Sequence, residues 1–258
     1  MPKEKLDHAF QRVLQNGDKA FVPYIMAGDG GLEQLNEQIS FLEKCGATAV
    51  EVGIPFSDPV ADGPTIQKAG IRALEGEVTL AKVFETLQAF KLDRAIPVVV
   101  MSYINPIYAM GIEQFAINCE QAGIDGLIIP DIPLEEEGII TEQLAEYKIA
   151  LIRLAALTST DDRIEELIKR TEGFLYAVTV TGTTGERANF KKNLAAHLKV
   201  LQKKSSVPVL AGFGVSTPEQ VKELAAHCDG VVVGSRIVDL LHVGKYEAIQ
   251  ELIAAAKK

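Results

Sequence analysis

The sequence predicts an α/β chain folded as a closed (β/α)8, or TIM, barrel with an N-terminal capping helix. Three observations carry the prediction: eight short apolar, β-branched runs, helical patterns between them, and strand ends mostly 22–29 residues apart along 258 residues. The runs are Phe21–Ile25, Ala49–Gly53, Pro97–Met101, Gly126–Ile129, Ile149–Arg153, Phe174–Val178, Pro208–Ala211 and Gly230–Val233. Between them Leu32–Lys44, Leu80–Lys91, Ile112–Ala122, Asp162–Arg170 and Pro218–His227 repeat apolar residues every three or four positions. Two longer separations, 50 and 36 residues, imply extra material after the second and sixth strands. Glu4–Leu14 is amphipathic and precedes the first strand, so it is expected to cap the barrel floor. Periodicity alone leaves an open doubly wound sheet as the alternative; the eight-unit count favours closure. No linker or low-complexity tract divides residues 1–258, which read as one barrel domain.

Charge and cysteine usage narrow the function classes. With 35 acidic against 26 basic side chains the net charge is −9, and such a chain lacks the basic face that nucleic acid or an anionic membrane demands. Residues 1–18 are charged and amphipathic, unlike a signal peptide, and no apolar run reaches the roughly 20 residues of a membrane span. Cys45, Cys119 and Cys228 are distant and odd in number, fitting small core hydrophobes in a reducing compartment. The expected location is the cytoplasm. No Walker loop, dinucleotide fingerprint or metal-ligand spacing is present. The histidines, His8, His197, His227 and His242, fall in or beside helices and are assigned no catalytic part.

Barrel active sites are built from the loops that follow the strands. Along the second strand Val50 and Val52 share one side, and Ala49, Glu51 and Gly53 the other. Small residues flanking an inward carboxylate leave room for a ligand, and burial raises that carboxyl toward a pKa suited to giving and taking protons. The loop from Gly53 to Pro64 carries prolines that stiffen it and ends in a helix opening at Thr65. Asp62, 11 residues beyond Glu51, can return over the barrel mouth, where two carboxylates in different environments divide acid and base roles. Asp58 reads as turn chemistry before a proline.

After the seventh strand come Gly212-Phe-Gly214 and the capping-box spacing Ser216 to Glu219; after the eighth, Gly234-Ser235 opens a short helix, Arg236–Leu241. Paired glycine turns at these two strand ends form the phosphate cradle common in this fold. Arg236 either adds charge there or makes an outward salt bridge. Thr181–Asn189 is polar, glycine-rich and long enough to serve as a lid, or else is a loose surface loop. Tyr176, just before it, is either core aromatic or pocket wall. Glu135–Glu137 follow Pro133 at a helix start, where acids favour the dipole.

Glu51-Val-Gly-Ile-Pro-Phe-Ser-Asp-Pro-Val-Ala-Asp-Gly-Pro-Thr-Ile-Gln67 closely resembles the signature of the tryptophan synthase alpha chain family. Phe21–Asp29, Met101–Pro106, Asp125–Glu136, Gly182–Gly185, Gly212–Gly214 and Gly234-Ser235 extend the resemblance over nearly the whole chain. The resemblance implies a lyase that cleaves indole-3-glycerol phosphate to indole and glyceraldehyde 3-phosphate by a retro-aldol reaction. It implies Glu51 as general acid/base and Asp62 as the carboxylate that binds the indole N–H. Tyr24, Met101, Leu127, Ile129 and Tyr176 would bind the substrate's ring. Thr184, Gly185, Phe213, Gly214, Gly234 and Ser235 would bind its phosphate. Neither a metal nor an organic cofactor is implied in this chain, whereas pyridoxal phosphate is expected on a beta chain that receives the indole. The implied assembly is an α2β2 heterotetramer contacted through Pro55–Pro64 and Asn105-Pro106. A stand-alone indole-3-glycerol-phosphate lyase and a non-catalytic phosphosugar-binding activator subunit are the alternatives. The sequence departs from the family's common pattern at Tyr24, Met26 and Gly30, and at the start of the lid, where many members have an arginine near Val180; none of these removes a catalytic group.

Overall fold

A computed structural model describes residues 2–178, 187–212 and 214–257, those from 187 to 192 as backbone alone. Eight strands, β1 (Ala20–Met26), β2 (Val50–Gly53), β3 (Val98–Met101), β4 (Gly126–Ile128), β5 (Ala150–Ala156), β6 (Leu175–Val178), β7 (Val209–Gly212) and β8 (Gly230–Val233), run parallel. They pair in chain order, and β8 closes on β1 with Ala20 opposite Gly230, so the sheet is a barrel rather than an open sheet. The helices are α1 (Pro2–Gln15), α2 (Leu35–Cys45), α3 (Pro64–Glu75), α4 (Leu80–Ala89), α5 (Ile104–Met110), α6 (Ile112–Ala122), α7 (Gly138–Glu146), α8 (Asp161–Arg170), α9 (Arg187–Lys204), α10 (Pro218–Ala225), α11 (Ser235–His242) and α12 (Tyr246–Ala254). The long separation after β2 holds the Gly53–Pro64 loop and two helices, and that after β6 holds the 18 residues of α9. No helix among the described residues is long and apolar enough to cross a membrane.

Strand alternation sorts the side chains into two layers. Ala20, Val22, Ala49, Val99, Ile128, Ile152, Phe174, Leu210 and Val232 fill the barrel interior. Val50, Val52, Val98, Val100 and Leu127 point outward and pack beneath the helices. The N-terminal helix closes the bottom: Leu6 and Phe10 of α1 join the interior layer, and the Phe10 ring lies 5.4 Å from that of Phe174. Lys5 pins the helix further, its Nζ donating to the Ile96 carbonyl at 3.0 Å and standing 3.8 Å from Asp125. The floor of the barrel interior is therefore filled by side chains, and the barrel mouth lies toward the strand C-termini.

Local signals explain most boundaries and two departures. Pro218 occupies the first position of α10, so the cap falls on Thr217, whose side chain accepts from the Gln220 N–H while Gln220 reciprocates. The capping box is thus Thr217–Gln220, one residue beyond the expected Ser216–Glu219. Pro64 likewise heads α3, one residue before Thr65, because proline's missing N–H is harmless in a first turn. Glu137 does more than favour a helix dipole: it is buried and accepts from Arg153 Nε at 2.7 Å and Arg170 at 3.2 Å.

Phe10 is 1% exposed, so Phe10→Ala should destabilise the fold by about 3–5 kcal/mol by emptying the floor of the barrel. Urea denaturation checks this; a loss below about 1 kcal/mol would mean that α1 does not plug the barrel.

Candidate active site

A cavity of about 420 Å3 opens at the C-terminal mouth of the barrel, inside the usual range for small-molecule sites. Glu51 reaches it from β2. Its side-chain neighbours on that face, Ala49 and Gly53, are too small to displace it, and the bulkier Val50 and Val52 turn away to the helices. Glu51 is 1% exposed, and among the described residues its Oε2 has no hydrogen-bond partner. Burial first, and then the negative charge of Asp62, push its pKa up to about 8. At neutral pH Glu51 holds its proton.

Two tyrosines flank it. Tyr24 of β1 pairs in register with Glu51, and Tyr176 of β6 approaches from the opposite wall. Both rings lie against bare backbone: a Cβ on Gly53 would sit 1.9 Å from the Tyr24 hydroxyl, and one on Gly212 would sit 2.2 Å from the Tyr176 ring. Glycine at these two strand ends is what lets the aromatic walls close in. Burial holds both hydroxyls well above the ordinary tyrosine range, so they are neutral donors.

The Gly53–Pro64 loop brings Asp62 to the same cavity. Tyr103, following β3, anchors that loop: its ring stacks at 5.3 Å from Phe56, and its hydroxyl accepts the Ala61 N–H at 3.0 Å. The same hydroxyl hydrogen-bonds to the Asp62 carboxylate, which lowers its pKa against the stronger upward push of partial burial. Asp62 is half-buried where Glu51 is wholly buried, and this difference in solvation separates the two carboxyls. Asp58 is exposed on the loop's outer side. Tyr103 escaped the sequence reading because it acts from 41 residues away on another loop; the aromatic pair Phe56–Tyr103 leaves no local spacing signal.

The same cavity is lined by Gly214, Val215 and Ser216 after β7, and by Gly234, Ser235 and Arg236 after β8. The first turn of α11 starts here, and its N–H groups have no carbonyl one turn earlier to bond. Met101, Val232 and Ile66 of α3 line the cavity as well. Thus Tyr24, Glu51, Asp62, Met101, Tyr176, Gly214, Gly234 and Ser235 are brought together. Thr184, Gly185 and Phe213 lie outside the described residues, as does most of the expected lid at Thr181–Asn189.

Leu127 and Ile129 are not brought to the cavity. Leu127 packs in the outer layer beneath the helices, and so does Ile129, just beyond β4. Alternation makes their neighbour Ile128 the inward side chain of that strand. Leu154 of β5 packs against the same inner layer. Among the described residues no group of three or more His, Cys, Asp and Glu is arranged to hold a metal ion.

Comparison with known proteins agrees with this geometry. The family model described as tryptophan synthase alpha chain matches residues 10–258. A protein of Oceanobacillus iheyensis named tryptophan synthase alpha chain is 58% identical over 253 residues, 98% of this chain and 97% of that one. A Bacillus cereus protein of the same name is 52% identical over 258 residues, covering 100% of this chain and 98% of its own. Among solved structures, tryptophan synthase subunit alpha from Legionella pneumophila superposes with a TM-score of 0.87 at 31% identity, covering 98% of this chain and 96% of that one. A chain from Aquifex aeolicus reaches 0.89 at 34% identity, with 98% and 99% covered. With its barrel, its two carboxylates at one mouth and relatives matched end to end, this chain belongs to the tryptophan synthase alpha chain family.

Proposed function

We propose that the chain is the lyase subunit of tryptophan synthase and cleaves indole-3-glycerol phosphate to indole and glyceraldehyde 3-phosphate, with Glu51 and Asp62 as its catalytic residues. The observation that carries the residue assignment is the Glu51 carboxyl, wholly buried, with one oxygen unpartnered among the described residues, in the cavity that Asp62 also lines. A buried carboxyl that keeps its proton to about pH 8 is an acid in waiting.

In this reading neutral Glu51 gives its proton to indole C3, and the ring becomes a cation with its charge on nitrogen. The Asp62 carboxylate accepts the indole N–H and stabilises that charge. The Glu51 carboxylate then takes the proton of the hydroxyl on the carbon attached to the ring. The bond between that carbon and C3 breaks, its electron pair returns to the ring, and the hydroxyl carbon becomes an aldehyde. Glu51 ends protonated, as it began, and no water is consumed. Tyr103 is a positioning residue for Asp62. Tyr24, Met101 and Tyr176, with Ile128 on the inward side of β4, hold the ring. Backbone N–H groups at Gly214, Gly234 and Ser235, with the Ser235 hydroxyl, hold the phosphate. Thr184, Gly185 and Phe213 join them by the family resemblance.

In this family pyridoxal phosphate belongs to the beta chain, and the alpha chain works without a cofactor of its own. We place this chain in an α2β2 assembly, where its indole passes to the beta chain, with the 258 residues acting as one barrel domain. Val60 on the Gly53–Pro64 loop and Tyr108 on α5 are exposed beside the mouth and offer apolar surface to that partner. The unpaired cysteines Cys45, Cys119 and Cys228 suit a reducing compartment, the cytoplasm.

Glu51→Gln should lower kcat ~10²–10⁴-fold with KM nearly unchanged, and Asp62→Asn should also cripple kcat. Steady-state assays of indole release test both; a preserved kcat with raised KM would reduce either residue to binding. Titration with a beta chain should raise the turnover of the wild type and saturate at one partner per alpha chain. Turnover indifferent to saturating beta chain would leave a stand-alone lyase.

A further inference from the structure

Four ionisable side chains border the cavity among the described residues: Glu51, Asp62, Asp239 and Arg236. Three carry or can carry negative charge, in a chain whose net charge is −9, yet the substrate of the lyase reading is itself a phosphate dianion. Neutral N–H groups from the α11 turn can order a phosphate but leave this field uncorrected.

Asp239, one turn beyond Arg236 on α11, has a cation to balance it. Arg72 of α3 feels its charge, and Arg72 is also held in a two-pronged pair with Asp29, both contacts 2.7 Å. Arg236 is different. It sits at the second residue of α11, beside Gly234 and Ser235, and lines the cavity with Gly214 and Ser216. Among the described residues it makes no ion pair and no side-chain hydrogen bond, so the outward salt bridge is not formed. An exposed guanidinium with five free N–H donors stands at the phosphate end of the site.

We infer that Arg236 is a specificity-determining residue that recognises the phosphate of the substrate, its planar fork donating to two phosphate oxygens while the α11 turn supplies backbone N–H groups to the others. The inference rests on the lyase reading of the site and adds to it a charged anchor for the phosphate and a source of steering toward an acidic protein. The Arg236 guanidinium stays protonated and has no proton to exchange, so its contribution falls on binding rather than on proton transfer. Its pairing with an anion is charge-assisted and partly exposed, which makes it worth about tenfold in affinity and sensitive to ionic strength.

The test uses the full chain with indole-3-glycerol phosphate as substrate and inorganic phosphate as competitive inhibitor. Arg236→Ala should raise KM and the phosphate inhibition constant about tenfold while kcat changes far less, and Arg236→Lys should recover much of the loss. Added salt should weaken phosphate binding in the wild type more steeply than in Arg236→Ala. Melting temperatures within a few degrees of one another separate recognition from misfolding, and recovery by lysine is not expected of a merely structural arginine. Indole formation with equal KM and equal phosphate inhibition in wild type and Arg236→Ala would overturn the inference and leave the lyase reading intact. A wild type that releases no indole, alone or with a beta chain, would overturn the lyase reading and this inference with it.

Discussion

Placing a carboxyl group inside a packed barrel costs several kcal/mol if it is charged, and the cost falls away when it keeps its proton. Glu51 is such a group, and the upper half of the molecule is arranged around it. The barrel must be wide enough at β2 to hold it, which small Ala49 and Gly53 provide. It must be solid below, which Leu6 and Phe10 ensure by plugging the floor with side chains from α1. The linkage has a definite sign. Because its folded pKa lies above the unfolded value, the group favours folding most at low pH, and this contribution is lost as pH rises to about 8. The fold therefore carries its acid at some expense to stability in neutral solution.

Asp62 is the counterpart, and the contrast between the two carboxyls comes from where the chain puts them. One stands on a strand inside the barrel, the other on a proline-stiffened loop that stays half in water. Asp62 also raises the pKa of Glu51 by its own charge, so the half-buried acid helps the wholly buried one stay neutral. Tyr103 fixes the loop through Ala61 and Asp62, making the geometry of one carboxylate depend on a residue that follows a different strand.

Much of this was legible in the sequence. The alternation Ala49, Glu51, Gly53 against Val50, Val52 identifies the inward face of β2 because the two sets differ so plainly in size and polarity. The run Gly126–Ile129 offers no such contrast: Leu127, Ile128 and Ile129 are alike, and only closure of the barrel decides that Ile128 faces inward. The helix α5 is masked by Pro106, which suggests a break but sits in a first turn where it is tolerated. The capping box at α10 falls one residue beyond the spacing's first choice because Ser216 and Thr217 are both competent caps, and Pro218 selects between them. Charges were the least legible of all. Nothing in the spacing tells which of Arg72 and Arg236 is consumed by a carboxylate, since Asp29 meets Arg72 only through the packing of the β1–α2 connection against α3.

Glu51 must be neutral at neutral pH to act as the acid, and infrared difference spectroscopy of the wild type against Glu51→Gln reads its protonation directly. A protonated-carboxyl C=O band should be present at pH 7 and should disappear with a midpoint near pH 8. In Asp62→Asn the midpoint should move to lower pH, since one of its two causes is gone. A band already absent at pH 7, with its midpoint in the ordinary carboxylate range, would contradict the central claim that burial stores the catalytic proton on Glu51.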